Sequence, residues 1–380
     1  MLLAIRRYVG ALKHYLGELP IHFEKKGGEY PSLPLRLYEQ LILLLNNAVT
    51  ASDYYYLALY RKSITWPDKR KYIGHYMLGR TYSCINSVEH RIVTKDKKIF
   101  HLLCMVHQLP VLEIIASYAP VKECLPWFCA SGLSELEVIL KQKNIENFFL
   151  KPTSEQRGVG ALALGKRIDD ESWIGRPSGI RITLEDVLDH INSHKAKSWI
   201  VQRLALPHFF TSEIVENVVC TVRVVTVNDG TPQILGAVMR FGYGDSPADN
   251  FEGGGVVALI DLKSGVLGRT LHAENGIAVF GTAHPRTGVQ ITGKVVPEWS
   301  KILEIAKDGS RKFPYLYCIG WDVAVTNEGP VILEANDRSG FPSLQILAGK
   351  GLLDGPLGEH LMNYRGIEKS GINVPRAGSS

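Results

Sequence analysis

Long apolar runs are missing from this sequence of 380 residues. Its densest apolar segment, Leu41 to Leu45, is closed by Asn46-Asn47 and falls far short of the roughly 20 residues of a membrane helix. No membrane span is therefore expected. A strong charge of one sign is missing too. The 43 Lys and Arg residues stand against 38 Asp and Glu, a net +5. Dedicated nucleic-acid binders concentrate more positive charge than that, so no nucleic-acid partner is expected, while small anionic molecules remain compatible. Cysteine is sparse and unpatterned: Cys84, Cys104, Cys124, Cys129, Cys220 and Cys318 lie in apolar surroundings without framework spacing. That excludes a disulfide scaffold and suits a cytoplasmic protein with reduced thiols. Cys104 and His107 have one metal-like interval, but no second pair completes a zinc site. Disorder is expected only in the last stretch, Gly371 to Ser380. The opening residues, MLLAIRRYVGALKHYLG, lack the ordered regions of a secretory signal and read as an amphipathic helix packed on the body.

What is present is an ordinary globular composition, 45% hydrophobic and 21% charged, long enough for two or three domains. Residues 1–95 carry helical spacing in Leu2–Leu16 and Leu33–Tyr60, with Tyr54-Tyr55-Tyr56 as core or interface aromatics. These aromatic helices are where a homo-oligomer contact would form. From 96 onwards helices alternate with strands. Helices are expected at Lys97–His107, Ser134–Lys143, Leu184–Ser193 (capped by Thr183), Glu298–Lys307 and Phe341–Leu347. Strands are expected at Val111–Ile115, Asn147–Lys151, Ala161–Leu164, Ser198–Leu204, Thr221–Val227, Ile234–Phe241 and Val256–Asp261. The order lacks the rhythm of a doubly wound sheet, so the class is α+β. The divisions are 1–95 helical, 96–200 with a Gly-rich hairpin, 201–370 and a tail, 371–380.

The most informative stretch is IGWDVAVTNEGPVILEANDRSG, Ile319 to Gly340. It reads as two strands joined at Asn327-Glu328-Gly329-Pro330. Glu334 and Asn336 are two apart and share a strand face, and the hairpin returns Asp322 beside them. Three hard oxygen donors then converge, a set suited to Mg²⁺ completed by water and phosphates. A surface hairpin with solvated acids is the alternative.

A magnesium site of this kind calls for phosphate-binding groups. In FLKPTSEQRGVGALAL, Lys151 ends an apolar strand, and Gly158 and Gly160 let the following loop approach phosphate oxygens. No Gly-Lys-Ser/Thr opens a helix afterwards, so this is not a Walker loop. Lys97 or Lys98, at the start of the helix after Thr94, would offer a second cation, although KDKK also reads as a solvated charge run. SWIVQRLALP is an apolar strand followed by a bend, where backbone and Gln202 can meet an adenine edge.

Taken in order, the Asp-Lys at a helix start, the Lys-Pro before a Gly hairpin, the strand with Gln at its end, the Asp and the Glu-x-Asn resemble the ATP-grasp superfamily. TVRVVTV, AVMRFG, DNFEGGGVVALIDLKSG, AHPRTG and GWDVAVTNEGPVILEAN are closer still to the sugar-transfer associated, or alpha-L-glutamate ligase-related, ATP-grasp group. The resemblance runs from Thr94 to Tyr364. It implies an ATP-grasp fold of two α+β subdomains gripping ATP. It implies that Lys97 and Lys151 contact the nucleotide phosphates and that the Gly158–Gly160 loop closes over them. Gln202, Arg203 and Ala205 would form the adenine hinge, and Asp322, Glu334 and Asn336 would hold Mg²⁺. Arg240 and Arg223, on neighbouring strands, would face the γ-phosphate and the acceptor carboxylate. Peptide-forming relatives carry an Arg just before the metal-binding Asp, where this chain has Gly320-Trp321, so a transition-state role passes to Arg240 or Arg338. Asp337-Arg338 also replaces an uncharged pair.

The chemistry implied is ATP-dependent ligation of a small-molecule carboxylate to an amine through an acylphosphate, with a polysaccharide or natural-product pathway suggested by the group's label. It needs no nucleophilic side chain, in keeping with the lack of a Ser-His or Cys-His arrangement. A kinase sharing the nucleotide half, with Asp245, Asp249 or His284 as general base, is the alternative, and a nucleotide-binding scaffold is a third.

Overall fold

The computed structural model describes residues 16–17, 30–47, 49–74, 85–142, 145–155, 158–169, 171–176, 178–216, 218–242, 255–274, 277–337 and 339–363. Apart from residues 16–17, which are helical, the helix expected over Leu2–Leu16 lies outside them. So do Arg338, Asp245 and Asp249.

Two seven-stranded sheets organise the chain. The first contains β1 (Ile114–Tyr118), β2 (Phe128–Ala130), β3 (Phe148–Pro152), β4 (Leu162–Asp169), β5 (Ser172–Arg176), β6 (Arg181–Thr183) and β7 (Trp199–Arg203), in the order β2-β1-β7-β3-β4-β5-β6. The second contains β8 (Thr221–Asn228), β9 (Pro232–Phe241), β10 (Val256–Ile260), β11 (Leu267–Glu274), β12 (Ile277–Gly281), β13 (Cys318–Ala324) and β14 (Val331–Asn336), in the order β12-β11-β10-β9-β8-β13-β14. Among the described residues neighbouring strands of the second sheet all run antiparallel, and the first sheet departs from that only at β1 and β2. Strands and helices are mixed as the α+β class requires.

Among the described residues eight helices of six or more residues accompany these sheets: α1 (Leu33–Asn47), α2 (Ala51–Tyr56), α3 (Lys97–Val106), α4 (Leu133–Gln142), α5 (Leu184–Ser193), α6 (Trp299–Lys312), α7 (Phe341–Ala348) and α8 (Pro356–Asn363). Local chemistry sets their starts. Thr183 and Asp186 form a capping box on α5, as Thr50 and Asp53 do on α2. That second box divides the helical spacing expected to continue from Leu33 to Tyr60, because Thr50 takes an extended conformation to cap. Strands β2, β5, β6, β11 and β12 were not among those expected from the sequence.

Strand alternation separates three cores. Phe148, Leu150, Trp173, Trp199 and Val201 of the first sheet pack with Leu136 and Leu140 of α4 and Val187 and Ile191 of α5. On the second sheet, Val222, Val224, Trp321 and Val323 face α3 and α6. Its other face presents Val225, Val227, Val238 and Val257 to α1, α2 and α7. The N-terminal helices therefore complete the core of the second sheet. Asn86 reinforces this by exchanging hydrogen bonds with the Cys318 backbone at 2.7 and 3.1 Å. No helix among the described residues is long and apolar enough to cross a membrane.

Gly309 in α6 gives a direct check of the packing. Ala is the better helix former by about 1 kcal/mol, so propensity alone favours Gly309→Ala. A Cβ there would lie 2.6 Å from the ring of fully buried Trp321, whose Nε1 donates to Thr226 Oγ1 at 3.0 Å. Overpacking should win, and urea unfolding should show Gly309→Ala destabilised by about 1–2 kcal/mol.

Candidate active site

A cleft with an empty volume of about 1070 Å³, its solvent-open mouth included, lies between facing surfaces of the two sheets. Its roof follows from register. Gln202, Phe149, Ala163 and Arg176 form one row across β7, β3, β4 and β5, and all four line the cleft. Lys151 follows two residues after Phe149 on the same face and joins them. Its floor is the charged end of the face that carries Val225 and Val238. Asp322 pairs with Arg223 of β8 on one side and Glu334 of β14 on the other, and Arg240 pairs with Thr221.

Most of the residues singled out in the sequence are brought together. Lys97, Lys151, Gly158, Gln202, Arg203, Ala205, Arg240, Asp322 and Glu334 line the cleft, and Asn336 lines an adjoining smaller cavity with Lys97, Glu155 and Glu334. Asp96 decides between the two candidate lysines. Its carboxylate caps α3 by accepting from Lys98 N at 2.8 Å and Ile99 N at 3.1 Å. Lys97, the first helical residue, then turns to the cleft, where its Nζ donates to Glu155 O at 2.5 Å. Lys98 points to the first sheet instead, where it pairs with Glu123 and donates to Ser198 Oγ at 2.9 Å. Gly158 and Gly160 both have positive φ, 71° and 73°. The Gly160 carbonyl accepts from His190 Nε2 at 2.9 Å, which fastens the base of the hairpin to α5.

Other residues sit differently from the simple reading. The Gln202 amide nitrogen is engaged by Leu112 O at 3.1 Å, so a base edge would meet its Oε1 and the backbone that follows. The Arg203 side chain points outward and pairs with Glu328 at 3.2 Å. His284, weighed as a general base, is wholly buried. Its Nε2 donates to Gly242 O at 3.0 Å and its Nδ1 accepts from Thr287 N at 3.3 Å, so it braces a loop and is corrected to a structural residue. Sequence reasoning missed Arg176, Glu155, Val219 and Leu333 of the cleft wall. Leu333 is there because of a bulge: Asp322 pairs with Glu334 and Val323 with Ile332, which leaves Leu333 as the extra residue. No alternation pattern signals that.

The carboxylates meet at one point. Asn336 Nδ2 lies 3.0 Å from Asp322 Oδ2 and 3.1 Å from Glu334 Oε1. Turning the amide over would present its oxygen to the same point. Among the described residues no group of three or more His, Cys, Asp or Glu side chains forms a metal cage. Two carboxylates and an amide leave places for phosphate and water, and that donor set fits Mg²⁺.

Electrostatics sort these groups. Burial alone would favour a neutral Asp322, but the Arg223 and Arg240 guanidiniums outweigh it and hold the carboxyl well below the usual carboxylate range. Arg223 grips it through Nε and through Nη2 at 2.8 Å, and Arg240 reaches Oδ1 at 2.7 Å. Part of Lys151 opens onto the cleft, yet its ammonium is surrounded by protein. Burial, reinforced by the nearby Lys97 charge and opposed by Glu334, pushes it down to about 8. Burial also lowers Lys97, against the pull of Glu334, Asp96 and Glu155. Five cationic side chains and three carboxylates line the cleft, an excess of positive charge suited to a polyanion.

Residues 78–357 match the family described as sugar-transfer associated ATP-grasp, and the chain belongs to that family. Its fold is the ATP-grasp fold. No curated protein matches the chain. Among solved structures, D-alanyl-alanine synthetase A from Vibrio cholerae is 11% identical, with a TM-score of 0.43, over 76% of this chain and 68% of that one. VanG D-Ala:D-Ser ligase from Enterococcus faecalis is 12% identical, with a TM-score of 0.41, over 74% and 64%. L-amino acid ligase from Bacillus licheniformis is 10% identical, with a TM-score of 0.33, over 67% and 43%. The chain thus spans 68% of the first of these proteins and smaller shares of the other two.

The low proton affinity of Lys151 is measurable without any ligand. Its ε-carbon resonance should titrate with a midpoint about 8, and at pH 8 it should be acylated faster than exposed lysines such as Lys301. A midpoint in the ordinary lysine range would contradict the desolvated setting.

Proposed function

We propose that this chain is an ATP-dependent carboxylate–amine ligase that works through an acylphosphate. The observation that carries the reading is that two desolvated ammoniums, Lys97 and Lys151, share one cleft with Glu334 and Asp322, beside which Asn336 stands in the adjoining cavity. In this reading Lys151 and Lys97 bind the nucleotide phosphates, the Gly158–Gly160 hairpin excludes water above them, and the segment from Gln202 to Ala205 meets the base. The two gripping subdomains would be 96–200, which bears the lid, and 201–370, with the division falling inside β7, the strand of the first sheet that ends at Arg203.

A carboxylate oxygen of the substrate attacks the γ-phosphorus in line, and the bond to the β,γ-bridging oxygen breaks to release ADP. Arg240 stands at Asp322, where it faces the transferring phosphoryl group and offsets its charge. An amine then attacks the acyl carbon, phosphate leaves, and the nitrogen gives up its proton. Magnesium held by Asp322, Glu334 and Asn336 would supply charge neutralisation at the phosphates. Both substrates are small molecules in this proposal.

Incubation with ATP, Mg²⁺, a panel of carboxylates and hydroxylamine tests the reading. A hydroxamate formed with ADP is the expected product. A stable phosphorylated alcohol without hydroxamate would make the protein a kinase, and no ADP release across the panel would remove the enzyme assignment.

Glu334→Gln keeps the shape of the side chain and removes its charge. ADP release should fall by about 100-fold or more, the scale of losing one electrostatic contact to a transition state, with an unaltered circular dichroism spectrum. Asn336→Ala should behave the same way. Turnover at the wild-type rate in either variant would remove the metal assignment.

A further inference from the structure

Gly320 stands two residues before Asp322 on β13 and on the same face, paired with Val225 and Asn336 across the sheet. Glycine inside a central strand weakens it and calls for a local reason. Its backbone supplies none, since no left-handed φ is found there. Close approach supplies one. A Cβ on Gly320 would lie 3.0 Å from Arg223 Cδ and 3.3 Å from Arg223 Nη1, and also 3.0 Å from Ser339 Cα. Gly340, with φ of 80°, borders the other side, and a Cβ there would be 3.3 Å from the same Nη1. The Arg223 side chain thus lies on bare backbone between two glycines, with Nε and Nη2 turned onto the Asp322 carboxylate.

We infer that Gly320 is a positioning residue: its missing side chain leaves the bed on which Arg223 lies flat to chelate Asp322 and so fixes the orientation of that carboxylate in the metal-ligand set. A side chain at 320 lifts the guanidinium, and Asp322 is left with Arg240 alone of the two partners that balance its burial. The inference rests on the proposed metal role of Asp322. It deepens that reading by naming what sets the Asp322 geometry from outside the ligand set.

The test compares wild type, Gly320→Ala, Arg223→Ala and the double variant, with MgADP and with ADP in a chelator as probes. Gly320→Ala should weaken MgADP binding by about tenfold or more, the scale on which partners of metal ligands are felt. Affinity for chelator-treated ADP should stay unchanged. The double variant should bind MgADP no worse than Arg223→Ala alone, because the added methyl matters only while the arginine is there. Wild-type MgADP affinity in Gly320→Ala, or two losses that simply add, would overturn the inference and assign the close contact to Ser339. If Gly320→Ala does not fold, folding of the double variant supports the inference, and failure of both overturns it.

A ligand-free readout separates this outcome from failure of the nucleotide reading. Wild type should show a slowly exchanging arginine Nε–H resonance that disappears in both Arg223→Ala and Gly320→Ala. Its persistence in Gly320→Ala would sink the inference whether or not any nucleotide binds. Absence of metal-dependent binding in wild type would count against the proposed function alone.

Discussion

Two ammonium groups lining one cleft, each desolvated by the protein around it, are the constraint on which the rest depends. Lys151 and Lys97 are both held where burial disfavours their charge, and the charge of Lys97 makes Lys151 harder still to protonate. Such an arrangement costs free energy in the ligand-free protein. It is relieved by an anion that can touch both, and Glu334 relieves it only in part. The opposite wall is compensated differently. Asp322 already has two guanidiniums, so the local charges of the floor are largely satisfied before any ligand arrives.

Both halves of that arrangement follow from how the sheets are built. On the roof, period-two alternation puts Phe148 and Leu150 into the core and Phe149 and Lys151 into the cleft. On the floor, the same alternation sends Trp321 and Val323 toward α6, with Gly320 and Asp322 on the opposite side. Most of that opposite side is covered by α1, α2 and α7, and only its charged end is left to the cleft. The N-terminal helices thus bury the apolar part of the face whose polar part forms the site.

The acidic hairpin was legible because its information is local. A polar turn, two alternating arms and the Glu-x-Asn spacing fix Asp322, Glu334 and Asn336 on one face, and the register agrees. Lys151 and the glycines after it were legible for the same reason. The residues alone left Lys97 and Lys98 open and only the family resemblance favoured Lys97, because the choice turns on Asp96 capping α3 rather than on any property of the lysines. Leu333 was hidden by a bulge, and Arg176 was missed with its strand, Ser172–Arg176, whose sequence SWIGR lacks a run of apolar residues. The grip of Arg223 on Asp322 joins residues 99 apart in sequence, and only sheet register creates it. The covering role of the N-terminal helices was invisible for a similar reason: helical spacing reveals an apolar face but not its partner.

Family membership fixes the fold, and the side chains then have to carry the chemistry. The most direct test of the central claim is calorimetry of ATP binding with Mg²⁺ at pH 8.5, repeated in buffers of different ionisation enthalpy. If Lys151 waits partly deprotonated for phosphate, binding should draw most of a proton from the buffer, and Lys151→Arg should abolish the uptake. Binding without proton uptake, or no binding at all, would contradict the account.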